Sequence, residues 1–266
     1  GAQVFVQWMN GAQDSLIIYG VSPATGMKQQ LVLEHQPTWV DWFEAIRFLP
    51  DRSGFILQSD RDGWPHLYLH AMDGKLRRQL TAGPWPVTGI QAVDSSAGIV
   101  YFTARKESPT RSDLYSVRLD GKGLKRLTFG EYTHTVKVSP AGSYFITTYS
   151  TVHEPPRMAL VTGGGTLVRE LGDSKTEHFS RYELALPEMI TIPTSDGLAL
   201  PAVMTRPLDC DPAKKYPVLL SVYGGPQSAT VFDGWKPLNA QWLAQQDLIQ
   251  LSVDNDDAIS LLVAAC

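Results

Sequence analysis

The sequence predicts a mainly β chain: a partial β-propeller of about four blades, followed by the opening strands and first helix of an α/β sheet. Two observations carry this expectation. Residues 66–81, "HLYLHAMDGKLRRQLT", line up with residues 113–128, "DLYSVRLDGKGLKRLT", at an offset of 47. Beyond about residue 185 these hairpin-like units give way to an apolar strand, a glycine-rich turn, a helix-forming stretch and another apolar strand.

Within the repeat, Leu67-Tyr68 matches Leu114-Tyr115, Asp73-Gly74 matches Asp120-Gly121, and Leu80-Thr81 matches Leu127-Thr128. Weaker copies are "SLIIYGVSPATGMKQQL" (15–31), with Thr25-Gly26 at the turn, and "RMALVTGGGTLVREL" (157–171), with Gly163-Gly164-Gly165. Each copy reads as a strand, a two-residue turn containing glycine, and a second strand. Further strands precede the hairpins, as in "GFILQSD" (54–60) and "GIVYFTA" (98–104). A repeat of about 45–48 residues with four short strands is the pattern of propeller blades; helical and leucine-rich repeats have other periods.

The remaining elements follow in order. "EMITIPTSDGLALPAVMTRP" (188–207) reads as two strands joined at Ser195-Asp196-Gly197, and "LDCDPAKK" (208–215) as a loop. In "YPVLLSVYGGPQS" (216–228), Val218, Leu219, Leu220 and Val222 form the short continuous apolar run of a strand covered on both faces. Tyr223 ends that run, and Gly224, Gly225 and Pro226 turn the chain. A helix is expected over 237–247, opening at Pro237, as the right-handed crossover to the strand "LIQLSVDN" (248–255). The domain division expected is a propeller region, 1–184, and an α/β region, 185–266.

Composition sets the outer frame. A chain of 266 residues, 43% hydrophobic with a formal charge of -4, reads as one or two globular domains. The net negative charge argues against nucleic acid or an anionic membrane surface as a partner. No apolar run approaches the roughly 18 residues of a membrane-spanning helix. Gly1-Ala2-Gln3-Val4 carries no initiating Met, basic n-region or cleavage signal, so the chain reads as starting inside a longer protein. Cys210 and Cys266 show neither metal-ligand spacing nor a disulfide framework.

A propeller feeding an α/β sheet through "KKYPVLLSVYGGP" resembles the dipeptidyl peptidase IV family of the prolyl oligopeptidase clan, in its bacterial type. "DGWPHLYLHAMDG" (62–74), "RQLTAGPWPVTGI" (78–90), "RLTFGEYTHTVKVSPAGSYFITTYST" (126–151) and "LSVDN" (251–255) support the resemblance up to about residue 255. It implies that 185–266 begins an α/β-hydrolase domain. It also implies a serine peptidase, homodimeric and free of cofactor or metal, that releases Xaa-Pro or Xaa-Ala dipeptides from peptide N-termini. Localisation is not legible, although the family allows a periplasmic or secreted parent. The tyrosine matching Tyr223 gives its hydroxyl to the oxyanion in this family, and Phe43 in "TWVDWFEA" aligns with an aromatic of an outer substrate subsite.

Acyl transfer also needs a nucleophile, a base and an acid in one constellation. In α/β-hydrolases the serine sits in a Gly-x-Ser-x-Gly elbow, and no serine of this chain has glycine at both flanking positions. Nor is there a Glu-Glu pair, the family's grip on the substrate amine. After Asn255, where the family continues with Arg-Gly, the chain reads "DDAISLLVAAC" (256–266), which is expected to be an aberrant tail. Two functional classes follow: a portion of a dipeptidyl peptidase, inactive alone, or a propeller used as a binding or scaffold module.

Other candidates read as structural. His66 and His70 lie on one strand face about 13 Å apart, too far for one metal, and are expected at a blade surface. Asp60 and Asp62 lack the later oxygen ligands of a calcium loop and belong to a hairpin turn. His134 reads as a hydrogen-bonded structural residue. Gly163–Gly165 lacks the Lys-Ser/Thr of a phosphate loop.

Overall fold

A computed structural model of the chain describes residues 3–43, 46–195, 197–223, 229–236 and 239–254. Its first sheet has three strands, β1 (Val4–Met9), β2 (Ser15–Val21) and β3 (Lys28–His35). The second has β4 (Arg47–Phe48), β5 (Gly54–Ser59), β6 (His66–Ala71) and β7 (Leu76–Gln79). The third has β8 (Val87–Asp94), β9 (Ile99–Ala104), β10 (Asp113–Arg118) and β11 (Lys125–Arg126). The fourth has β12 (Thr133–Val138), β13 (Tyr144–Ser150), β14 (Arg157–Thr162) and β15 (Leu167–Asp173). In all four, spatial neighbours are sequence neighbours, the strand order of propeller blades.

A fifth sheet differs in kind. It contains β16 (Glu188–Pro193), β17 (Ala199–Thr205), β18 (Val218–Ser221) and β19 (Ile249–Val253), in the order β16-β17-β19-β18. Helix α1 (Asn239–Ala244) lies between β18 and β19 in sequence, and those two strands pair in parallel. The other pairs of the sheet are antiparallel. The predicted fold class is therefore the observed one: mainly β, with a partial propeller followed by the opening of an α/β sheet.

The chain forms two compact units, Gly1–Phe102 with Ser116–Lys125, and Thr103–Tyr115 with Arg126–Cys266. In the first, Leu16, Ile18, Leu31, Val32, Val40, Phe43, Phe55 and Leu57 form a buried apolar cluster. In the second, Val152, Val203 and Val231 pack together with Met189.

The hairpin turns differ from the expected two-residue kind. At 71–75, Ala71 N–H reaches Lys75 O and Gly74 N–H reaches Ala71 O, with Gly74 at φ 86°. Residues 118–122 and 162–166 repeat this pattern, with Gly121 and Gly165 also at positive φ. These are three-residue loops in which glycine takes the left-handed position, and behind those at 71–75 and 162–166 the ladder shifts register. At Gly74 a Cβ would also overlap the Leu31 carbonyl oxygen.

The structure also explains the repeated Leu-Thr. Leu80 N–H donates to Leu67 O, and the Thr81 hydroxyl oxygen accepts from Leu67 N–H. Leu127 N–H and the Thr128 hydroxyl do the same for Leu114. Each threonine thus adds a side-chain rung where the short outer strand ends. One residue before, the two repeats diverge. His66 Nδ1 pairs with the Thr81 hydroxyl, whereas the Asp113 carboxylate accepts from the Thr128 hydroxyl and from the guanidinium of Arg126.

Two expectations need correcting. His66 and His70 are buried at 1% and 3% exposure, and do not sit on a blade surface. Neighbouring carbonyls make that burial tolerable: His66 Nε2 bonds Gly83 O and His70 Nδ1 bonds Gly74 O. Conversely, β18, the last strand of its sheet, is not covered on both faces: Val218, Leu219, Leu220 and Val222 are all exposed. The Gly224-Gly225-Pro226 turn, Asp196, Pro237, Cys266 and the tail 256–266 lie outside the described residues.

Candidate functional site

The parallel pair gives the second unit a defined chemical edge. Its register runs Val218↔Ile249, Leu219↔Gln250, Leu220↔Leu251 and Ser221↔Ser252. Tyr223 and Asp254 each follow two residues after the last of these pairs, at the carboxyl ends of neighbouring parallel strands. In open α/β sheets that end is where ligands are bound.

Tyr223 is 65% exposed, so its side chain stands in solvent rather than in a core. Asp254 is its opposite, 3% exposed and densely bonded. Its Oδ1 accepts from Thr230 N–H, the Thr230 hydroxyl and Val231 N–H, and Oδ2 also accepts from Val231 N–H. These bonds tie residues 229–236 to the end of β19. The same segment is held from two further directions. Asp233 accepts from Val152 N–H through its carboxylate and donates its own N–H to Thr110 O, and Trp235 N–H donates to the Ser150 hydroxyl.

Two cations belong to this cluster. The Arg105 guanidinium lies 4.5 Å from the centroid of the Phe232 ring. Burial lowers the pKa of Arg105 and of Lys236, and the Asp254 charge opposes that shift in both. Sequence reasoning did not single out Asp254, Arg105 or Lys236. For Asp254 the signal was present, an acid directly after the apolar run "LIQLSV", where the carboxyl end of a parallel strand falls. Arg105 and Lys236 are far apart in sequence and carried no such signal.

The other sequence candidates fall elsewhere. Phe43 lies in the first unit, 5% exposed within its apolar cluster, and its carbonyl accepts from Gln7 Nε2. His134 is 2% exposed; its Nδ1 pairs with the Thr147 hydroxyl and its Nε2 with Phe129 O, the structural role expected of it. Asp62 accepts from the Tyr68 hydroxyl and from Gln79, and Asp60 O closes a turn to Gly63 N–H. Gly163–Gly165 forms the β14–β15 turn. Among the described residues no group of three His, Cys, Asp or Glu side chains could hold a metal.

The fold and this edge define the class: a β-propeller region running into the opening of an α/β sheet. Comparison with known proteins gives the family. The sequence model of the dipeptidyl peptidase IV N-terminal region matches residues 1–156. The chain is 28% identical over 263 residues, 88% of its length, to a dipeptidyl peptidase 4 of Arthroderma otae, and covers 33% of that protein. It is 30% identical over 217 residues, 76% of its length, to the dipeptidyl peptidase 4 of Trichophyton equinum, covering 27% of it. The crystal structure of Porphyromonas gingivalis dipeptidyl peptidase 4 superposes with a TM-score of 0.86 at 29% identity, over 95% of this chain and 36% of that one. The chain belongs to the dipeptidyl peptidase IV family and spans about a third of the length of these relatives.

Proposed function

We propose that these residues form part of a serine-type dipeptidyl peptidase that releases Xaa-Pro or Xaa-Ala dipeptides from peptide N-termini. In this reading, residues 1–184 belong to the propeller and 185–266 open the α/β-hydrolase domain. The observation that carries it is the position of Tyr223, exposed at the carboxyl end of a parallel strand in a chain of this family. A phenol there can donate its O–H to the oxyanion that forms when a serine attacks a peptide carbonyl. Such a donor acts on charge that exists only in the transition state, so it lowers the barrier without tightening substrate binding.

The chain itself supplies no elbow serine, so Tyr223 has work to do only in the full-length parent. There the acyl-enzyme forms on a serine, the leaving amine takes a proton from the histidine, and water then releases the dipeptide. Phe43 lines an outer subsite in this reading, and the parent enzyme acts as a homodimer on peptides without a cofactor.

Tyr223→Phe in the full-length parent tests the central role. Loss of one oxyanion donor is expected to lower kcat on a Gly-Pro anilide by about 10²–10³, with KM nearly unchanged. An unchanged kcat removes Tyr223 from the chemistry.

A further inference from the structure

Among the described residues, the phenol of Tyr223 makes no hydrogen bond or ring contact and stands in solvent. Its position is therefore set by the backbone on either side of it. Before Tyr223, the chain is held by the pairing of β18 with β19, which ends at Ser221↔Ser252. After it, the next hold on the chain is Asp254. Thr230, seven residues on, donates its N–H and its hydroxyl to Asp254 Oδ1, at 2.6 and 2.7 Å. Val231 N–H then reaches both carboxylate oxygens, at 3.1 and 3.0 Å.

The anchored segment lies on the face of the sheet to which Tyr223 belongs. Strand side chains alternate between faces, so residues paired in register project together. Met189 pairs with Val203, Val203 with Ser252, and Ser252 with Ser221. Val231 and Val152 cover that face, packing with Val203 and Met189. The two-residue period carries the same face on to Tyr223 and Asp254. Asp254 is 3% exposed, so its bonds form away from water, where charge-assisted contacts hold geometry firmly. We propose that Asp254 is the positioning residue of the oxyanion donor: by fastening Thr230 and Val231 to the end of β19, it holds the chain that leaves Tyr223 and so fixes where the phenol points. Asp233, in the same segment, does not compete for these donors; its carboxylate accepts from Val152 N–H and its own N–H goes to Thr110 O. The inference rests on the oxyanion role proposed for Tyr223, and Asp254 itself touches no reacting atom in it.

A double-mutant cycle in the full-length parent, read on a Gly-Pro anilide, provides the test. Asp254→Asn keeps the shape of the side chain but replaces one acceptor oxygen with a donor, facing Val231 N–H. It is expected to lower kcat about ten- to a hundredfold with KM nearly unchanged, since a misplaced catalytic group costs rate rather than binding. In a Tyr223→Phe background the same change should cost less than about threefold, because a hydroxyl already removed cannot be misplaced. An unchanged kcat in Asp254→Asn, or an equal loss in both backgrounds, would overturn the positioning role and leave Tyr223 its own. An unchanged kcat in Tyr223→Phe, or a parent that does not cleave the anilide, overturns the oxyanion reading and this role with it. Should Asp254→Asn not fold, Thr230→Val decides, because it removes only the hydroxyl bond. It should lower kcat about threefold beside Tyr223 and leave it unchanged beside Phe, and equal effects in the two would contradict the proposal.

Discussion

Three buried histidines show how single residues tie folding to pH. The ring N–H of His66 goes to Gly83 O and that of His134 to Phe129 O, each through Nε2, leaving Nδ1 to accept from a threonine hydroxyl. His70 uses Nδ1 instead, and its Nε2 is buried without a partner. Burial lowers the pKa of all three, against the opposing pull of these backbone carbonyls. Below about pH 6.5 the unfolded chain binds protons that the folded histidines refuse, so folding loses free energy as the medium is acidified. His66→Gln and His134→Gln should each show a smaller drop in melting temperature than the parent chain between pH 7.5 and 5; identical drops would clear histidine of the effect. The threonines are equally specific. Thr81→Val leaves Leu67 N–H without its acceptor and should cost about 1–3 kcal/mol in urea unfolding. Gly74→Ala, at positive φ and against the Leu31 carbonyl, should cost about 1–3 kcal/mol or more, and a neutral result would contradict the turn geometry.

At the level of elements, the sequence was legible wherever a pattern is local. Alternating apolar residues, Asp-Gly turns and the repeated Leu-Thr placed the hairpins, because strand period and glycine conformation are properties of a few adjacent residues. The third loop residue was missed because Asp-Gly favours both the two-residue turn and the three-residue loop. The exposure of β18 was missed for a different reason. An apolar run reveals a strand, but what lies over its faces is decided by distant parts of a protein. Val218, Leu219 and Leu220 are exposed on an edge strand here, and Val4, Val6 and Trp8 form an exposed stripe on β1. Exposed apolar edges invite pairing between chains. Leu220→Lys should therefore raise the soluble fraction of the purified chain without changing its circular dichroism; unchanged solubility would show that β18 is not the adhesive edge. Within the candidate site, Tyr223 was found through resemblance and Asp254 could have been found from its strand, whereas Arg105 and Lys236 each feel the Asp254 charge only through the folded chain.

Over the whole molecule, these exposed edges predict a chain that is marginally stable or aggregation-prone when prepared alone. A sharp monomer peak with a cooperative melt above about 60 °C would contradict that expectation. The family and the mainly β architecture rest on sequence and structural similarity across most of the chain. The catalytic assignment needs residues this chain does not contain, since no Gly-x-Ser-x-Gly elbow occurs in it. Hydrolysis of a Gly-Pro chromogenic amide, measured side by side for the full-length parent protein and for residues 1–266, tests the assignment most directly. Turnover by the full-length protein, with none by the 266-residue chain, is the predicted result. A full-length protein that fails to cleave the amide, or a 266-residue chain that cleaves it unaided, would contradict it.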